Sequence, residues 1–140
     1  RGTFLCVADA DDVMLPGRVA VQLSALLALP SEADRRRTLM GGNVRREPEG
    51  STRHYTAWAN AVRGDALTAQ QFREVTLLQP TWMMHRDVHA AAGRYDATPP
   101  AAAGAEPVPE DLLFFHAHLD AGGRLAKPPT PRPLVMYRYS

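Results

Sequence analysis

Residues 3–18 have the sequence TFLCVADADDVMLPGR, which joins an apolar run, an acidic loop and the start of a helix. The run from Thr3 to Ala8 has the length and apolar character of a buried strand. Pro16 then occupies a plausible first helical position. The acidic loop between them carries three carboxylates, those of Asp9, Asp11 and Asp12. This order is typical of a βα unit, so the segment predicts an α/β fold.

The rest of the chain continues this mixture of helical and extended patterns, apart from a charged loop predicted over residues 31–38. The first helix shows helical spacing of Val19, Leu23, Leu26 and Leu27 and ends at Pro30. Further helices are predicted around 55–62, 68–73, 86–92 and from Pro109 to the Gly122-Gly123 pair. Extended segments are predicted at 39–46, 75–78, 81–84 and 134–137. We expect a mixed sheet flanked by helices.

Composition excludes several classes of protein. The 140 residues are 45% apolar and 22% charged, with a net charge of +1 that gives no bulk signal for nucleic-acid binding. The longest mainly apolar stretch is far short of the ~20 residues of a membrane span. Cys6 is the only cysteine, which excludes an internal disulfide and suits a reducing, cytoplasmic location.

Two segments bear on domain organisation. The predicted strand at Thr3 to Ala8 has no preceding element to pair with, so we expect the chain to be part of a larger α/β domain. Residues 97–108 are almost all Ala, Pro and Gly, with nothing to bury, and are predicted to form a flexible insertion.

The acidic loop is the strongest candidate for chemistry, because open α/β sheets bind ligands beyond the carboxyl ends of their strands. Clustered carboxylates raise one another's pKa, and a divalent metal ion relieves that conflict while clamping a diphosphate. The alternative is an Asp-rich turn that caps the following helix. A calcium EF-loop fits poorly, since it requires an oxygen ligand at Val13 and glycine at Met14.

Two further places could contribute to a site. Glu110 and Asp111 begin a predicted helix, where they either complement the helix dipole or supply a general base. Trp82 is either a core aromatic or a platform that stacks on a sugar or base. Arg35–Arg37 and Arg45–Arg46 are candidates for phosphate contacts, and solvated loop arginines are the alternative for the first group.

These segments, in this order, resemble the family 2 nucleotide-sugar glycosyltransferases, which have the GT-A fold. The residues that carry the resemblance are FLCVADADD at 4–12 with Pro16 and Arg18, GRYD at 93–96, and Glu110-Asp111. A subgroup, the β-1,3-N-acetylglucosaminyltransferase-like proteins that include queuosine-tRNA galactosyltransferases, is similar over nearly the whole chain. Its similarities lie at VRREP (44–48), STRHYT and Trp58 (51–58), QPTW (79–82), PEDLLFF (109–115) and MYRY (136–139).

The resemblance implies an inverting transfer of galactose from a UDP-sugar, UDP-galactose, to the queuosine base of a tRNA in the cytoplasm. It implies that this chain is the C-terminal portion of the GT-A domain, with the nucleotide-binding half upstream. Asp9, Asp11 and Asp12 would bind the nucleotide sugar, and Asp11 would hold the divalent metal, Mn²⁺ or Mg²⁺. Asp111 would be the catalytic base, and Glu110 would shape the acceptor pocket. For Trp82 the stacking alternative predicts a second contact with the acceptor.

Two other functions stay open at this point. A transferase for a saccharide or glycolipid acceptor would share the donor site but is often found near a membrane. A truncated, non-catalytic remnant that keeps the acidic loop would act as an interaction module.

Overall fold

The computed structural model describes residues 2–93 and 109–138. The RYD part of the GRYD segment, the predicted insertion at 97–108 and the last two residues lie outside this range. The described residues form a mixed α/β structure with two mixed sheets flanked by helices, which confirms the predicted class.

Seven strands and six α-helices are present in the described ranges, together with a 3₁₀ turn at Gln79–Thr81. The strands are β1 Phe4–Cys6, β2 Val13–Met14, β3 Thr38–Met40, β4 Asn43–Glu47, β5 Met83–His85, β6 Arg124–Ala126 and β7 Pro133–Arg138. The helices are α1 Arg18–Leu27, α2 Glu32–Arg35, α3 Arg53–Ala61, α4 Ala66–Ala69, α5 Arg86–Ala91 and α6 Glu110–Asp120.

The larger sheet has the strand order β1-β5-β3-β6. Strand β5 runs antiparallel to both β1 and β3, while β3 and β6 are parallel. Strands β1, β3 and β6 therefore point the same way, and their carboxyl ends share one edge of the sheet. The acidic loop leaves β1 at this edge, which is where open α/β sheets bind ligands.

The smaller sheet has the order β2-β7-β4, and its strand β4 comes directly after β3 of the larger sheet in the chain. Strand β7 is antiparallel to β2 and parallel to β4. The chain passes from β3 into β4 through Gly41 and Gly42, so the single strand predicted at 39–46 is in fact two. Because a Cβ atom at Gly41 would lie 2.5 Å from Cδ2 of Leu77, glycine is required for the close approach of this connection.

Most of the core lies on one face of the larger sheet, between β3, β5, α5 and α6. Its buried members are Leu39, Val62, Leu67, Val75, Leu77, Trp82, Met84, Val88, Phe114 and Phe115. A smaller cluster on α1 and the opposite face joins Leu26, Met40 and Met83. The helix that begins at Glu110 is thereby held against the sheet by Phe114 and Phe115.

The buried face of α1 differs from the predicted one. Val19 and Leu27 are about half exposed, at 45% and 51%, whereas Arg18, Gln22 and Leu26 are buried. These three residues also follow helical spacing, at i, i+4 and i+8. The apolar pattern failed here because the two polar side chains bond to each other and to backbone carbonyls, which allows their burial.

Two other expectations need correction. Strand β1 is an edge strand of the described sheet, with Phe4 and Leu5 half-buried and Cys6 exposed, so it is not the fully buried strand that its apolar run predicted. Residues 31–38 contain the short helix α2 rather than only a loop, because the Ser31 hydroxyl accepts a hydrogen bond from the Asp34 N–H and caps it. No helix in the described ranges has the length and apolar character needed to cross a bilayer.

Candidate functional site

The acidic loop emerges from β1 and turns back toward the smaller sheet. The turn is closed by a hydrogen bond of 3.2 Å from the Asp12 N–H to the Asp9 carbonyl. Asp12 Oδ1 accepts a bond of 2.9 Å from the Arg138 N–H at the end of β7. The loop is thus anchored to both sheets, with Asp9 and Asp12 half-buried and Asp11 exposed.

The three carboxylates are brought close together. Each of Asp9, Asp11 and Asp12 offers an oxygen atom within 4.8 Å of the others, and no other such cluster occurs in the described part of the chain. Burial raises the pKa of Asp9, and the charges of Asp11 and Asp111 raise it further. Burial also raises the pKa of Asp12, where Asp11 and Asp9 add to the effect and the Arg138 N–H opposes it. The like charges are therefore only partly compensated by the protein.

The donor set fits a hard divalent cation. All the ligand atoms are carboxylate oxygens, which Mg²⁺ and Mn²⁺ prefer. Asp12 Oδ2 is enclosed and has no hydrogen-bond partner in the described structure. An orphaned carboxylate oxygen beside two further carboxylates is a costly arrangement unless a cation joins it. Asp9, Asp11 and Asp12 could thus hold a metal ion.

Asp111 belongs to the same site although it lies about a hundred positions further along the chain. It is in the first turn of α6 and half-buried, and its charge contributes to the raised pKa of Asp9. Negative charge is favoured at a helix N-terminus because the first backbone N–H groups are unpaired. Glu110 precedes it in the same turn but is exposed, and its predicted contact with an acceptor stays a prediction.

An arginine and two tyrosines border the acidic loop, and the sequence did not show that they would meet. The Arg46 guanidinium on β4 lies over the ring of Tyr137, 4.0 Å from its centroid, and 6.0 Å from that of Tyr55. Burial raises the pKa of the Tyr55 hydroxyl to about 12, with Glu74 as the next cause and Asp111 as a smaller one. The Tyr55 hydroxyl therefore stays neutral at physiological pH and adds no charge near Asp111.

Trp82 does not lie at the surface of the site. Its side chain is 0% exposed, and its ring packs 5.4 Å from that of Phe114 while Nε1 donates to the Leu77 carbonyl. A ring enclosed on all sides has no face for a sugar or a base. The prediction that Trp82 contacts an acceptor is wrong, and the alternative of a core aromatic holds.

Trp82 supports the site through its backbone instead. Its carbonyl accepts hydrogen bonds from the Val7 N–H, at 2.9 Å, and from Arg18 Nη2, at 3.2 Å. Gln22 Nε2 donates to the carbonyls of Thr81 and Gly41, at 2.6 and 3.0 Å. This set of bonds, here called the Arg18–Gln22 network, ties the segments that flank β1, β3 and β5 together just below the acidic loop.

No protein-family model matches this chain, and no solved structure matches it significantly. The geometry of the acidic loop and the motifs of the sequence therefore remain as the guides to function.

Proposed function

We propose that the chain carries the catalytic part of an inverting, metal-dependent UDP-sugar glycosyltransferase of family 2 with the GT-A fold. The single observation that supports this most is that Asp111 is near enough to the acidic loop for its charge to add to the raised pKa of Asp9, after burial and Asp11. A base for an acceptor hydroxyl and a group of carboxylates for a diphosphate-bound cation are needed within one substrate's length of each other. The same residues carry the resemblance found in the sequence.

In the proposed mechanism the donor diphosphate lies at the acidic loop, with Asp9 contacting the nucleotide and Asp11 and Asp12 in the metal set. A bound divalent cation supplies positive charge that stabilises the departing diphosphate. Asp111 orients the acceptor hydroxyl and accepts its proton as the oxygen attacks the anomeric carbon. The bond from that carbon to the diphosphate oxygen breaks, its electron pair leaves with UDP, and the configuration inverts.

The position of Asp111 suits this role in two ways. Its helix is clamped to the core by Phe114 and Phe115, so the carboxylate is held on a rigid element. The buried and neutral Tyr55 hydroxyl nearby adds no competing charge. A positioned base of this type contributes about 10²–10⁴-fold to a rate.

For the sugar and the acceptor we propose galactose and the queuosine base of a tRNA, in the cytoplasm. The motifs shared with the β-1,3-N-acetylglucosaminyltransferase-like subgroup support this choice. These motifs include Arg46 and Tyr137, which are paired across β4 and β7 next to the Arg138 N–H that bonds to Asp12. They also include Tyr55, whose ring contacts Arg46.

The test is transfer of labelled galactose from UDP-galactose into queuosine-containing total tRNA by the full-length protein with Mn²⁺. We expect Asp111→Asn to lower the rate by about 10²–10⁴-fold and to leave UDP binding unchanged. Asp120→Asn, at the exposed far end of the same helix, is the matched control and should transfer at the wild-type rate.

Each other outcome assigns a different function. UDP release with a saccharide or lipid acceptor, but not with tRNA, would support the glycosyltransferase family and contradict the tRNA acceptor. Normal transfer by Asp111→Asn would show that another group is the base. Absence of both UDP binding and transfer would favour the non-catalytic interaction module.

A further inference from the structure

Arg46 is a nearly buried cation whose charge has no carboxylate partner. Its side chain belongs to a residue that is 8% exposed, and no Asp or Glu of the described ranges lies within 4.0 Å of its nitrogens. Burial of a charge is costly unless it is paired or well hydrogen-bonded. A protein keeps such a group mainly where a ligand completes its surroundings.

The packing of Arg46 fixes the direction of the guanidinium. Nε donates to Thr56 Oγ1 at 3.2 Å, and the planar group lies 4.0 Å above the ring of Tyr137. These contacts hold one edge and one face of the group. In the described residues Nη1 and Nη2 have no protein hydrogen bond, and neither is sealed off from solvent. The N–H groups of these two nitrogens remain for an outside acceptor.

Strand β7 connects Arg46 to the acidic loop. Arg46 pairs with Tyr137 in the parallel β4–β7 register, and the next residue of β7, Arg138, donates its N–H to Asp12. Burial raises the pKa of Asp12 overall, and the positive charge of Arg46 is a smaller influence in the opposite direction. The guanidinium is therefore near enough to the acidic loop for its charge to act on Asp12.

We propose that Arg46 is an anion-binding residue that donates hydrogen bonds from Nη1 and Nη2 to the diphosphate of the donor. This inference rests on the proposed function and adds a residue to it. The acidic loop would hold a cation that supplies positive charge to the diphosphate, and the Arg46 guanidinium would add a second positive charge. When the anomeric carbon–oxygen bond breaks, the electron pair stays on the diphosphate oxygen, and Arg46 stabilises the charge that develops there.

A purely structural role for Arg46, as a bridge between β4 and the tyrosines, makes a different prediction. In that case its replacement would weaken every ligand equally through a general loosening of the site. An anion-binding role concerns only ligands that carry the diphosphate. Arg45, its exposed neighbour on β4, points to the other face of the strand and supplies the matched control.

The experiment is calorimetric titration of the full-length protein with three probes in the presence of Mn²⁺: inorganic pyrophosphate, UDP and uridine. We expect Arg46→Gln to weaken pyrophosphate and UDP about 10- to 100-fold, as lost charge-assisted hydrogen bonds do, and to leave uridine affinity unchanged. Arg45→Gln should bind all three probes as the wild type does. Arg46→Lys keeps the charge without the planar fork, so a several-fold loss for pyrophosphate is expected.

The possible results separate this inference from the proposed function. Wild-type binding of pyrophosphate but not UDP, with loss in Arg46→Gln, supports the role of Arg46 and overturns the UDP donor. Unchanged affinity for pyrophosphate and UDP in both Arg46 variants overturns the role of Arg46 and leaves the proposal of a UDP-sugar donor intact. An equal loss for uridine, or no pyrophosphate binding by the wild type, also overturns it. If circular dichroism shows Arg46→Gln to be unfolded, Arg46→Lys decides between these results.

Discussion

The Arg18–Gln22 network and the acidic loop are both polar, and fewer than ten residues separate Arg18 from Asp12. They differ in whether the protein itself supplies partners for the polar groups. Arg18 and Gln22 are 1% and 0% exposed, Arg18 Nε donates to Gln22 Oε1, and other N–H groups of the two side chains donate to three backbone carbonyls. In the loop, burial and the charge of Asp11 raise the pKa of Asp9 and of Asp12, and Asp12 Oδ2 has no partner in the described structure.

The comparison teaches how to separate polar residues that hold a fold from those that bind a ligand. A buried polar group with all its partners supplied by the protein stabilises one arrangement of the chain. Like charges without sufficient partners lower stability and are retained where a ligand compensates them. The Arg18–Gln22 network lies below the acidic loop. Polar side chains that are fully hydrogen-bonded therefore support the carboxylates that lack partners.

The largest effect is expected from Arg18→Met, which breaks the network. It removes the donor to Gln22 Oε1 and leaves a buried acceptor unpaired. We expect the free energy of unfolding to fall by about 3 kcal/mol, as measured by urea denaturation. Arg53→Met, on an exposed helical position, should change it by less than about 0.5 kcal/mol. Equal losses in the two variants would remove the distinction between the network and the surface.

A smaller effect is expected from Gly41→Ala, which crowds the same network at the end of β3. The added methyl group would lie 2.5 Å from Leu77 Cδ2, and the carbonyl of this residue accepts from Gln22. We expect a loss of about 1–3 kcal/mol in the free energy of unfolding. Combination with Leu77→Ala makes room for the methyl group, so the double variant should cost less than the sum of the single ones. Additive losses would show that the backbone, not Leu77, resists the change.

A pH-dependent loss is expected from His118, whose ring is buried. Burial lowers its pKa from 6.5, the bond to the Arg124 carbonyl opposes this, and Arg37 lowers it further. Between the lowered pKa and 6.5 the unfolded chain binds more protons, so stability rises with pH in this window and is lost as pH falls below 6.5. Urea denaturation between pH 7 and 5 should show the loss.

Two variants locate that pH effect. His118→Gln keeps a side-chain N–H near the Arg124 carbonyl without a titrating ring, and it should flatten the slope. His54→Gln, at an exposed position, should leave the slope as in the wild type. The same slope in His118→Gln would assign the titration to another group.

The smallest change in stability is expected from Asp11→Asn, which should raise the free energy of unfolding, whereas the variants above lower it. Asp11 raises the pKa of both neighbouring aspartates, so removal of its charge relieves repulsion. Without metal the free energy of unfolding should rise by no more than about 0.5 kcal/mol. In the same variant we expect Mn²⁺-dependent UDP binding to disappear, as measured by calorimetry. A clear loss of stability, or retained binding, would mean that the loop is a structural turn.

Local patterns in the sequence were sufficient for many of the elements and for part of the site. They also predicted an extended segment at 75–78 that forms no strand, and they missed β2 and β6. The mixed α/β class, the acidic loop after β1 and the helix that starts at Glu110 were all predicted, because each depends on residues adjacent in the chain. The division of 39–46 into two strands was missed, since it depends on the distant Leu77 and Leu134. Sequence patterns also placed Trp82 at the acceptor, where only the packing of Phe114 shows it to be in the core.

By itself, therefore, the sequence determined where carboxylates follow a strand and where a carboxylate begins a helix. The tertiary structure decided that Asp111 is near enough to Asp9 for its charge to act on that carboxylate, that Arg46 stacks on Tyr137, and which polar side chains of α1 are buried. The physical reason is that charge interactions and burial depend on distance in space. The partners come from strands and helices up to about a hundred residues apart, and only the packed sheets bring them together.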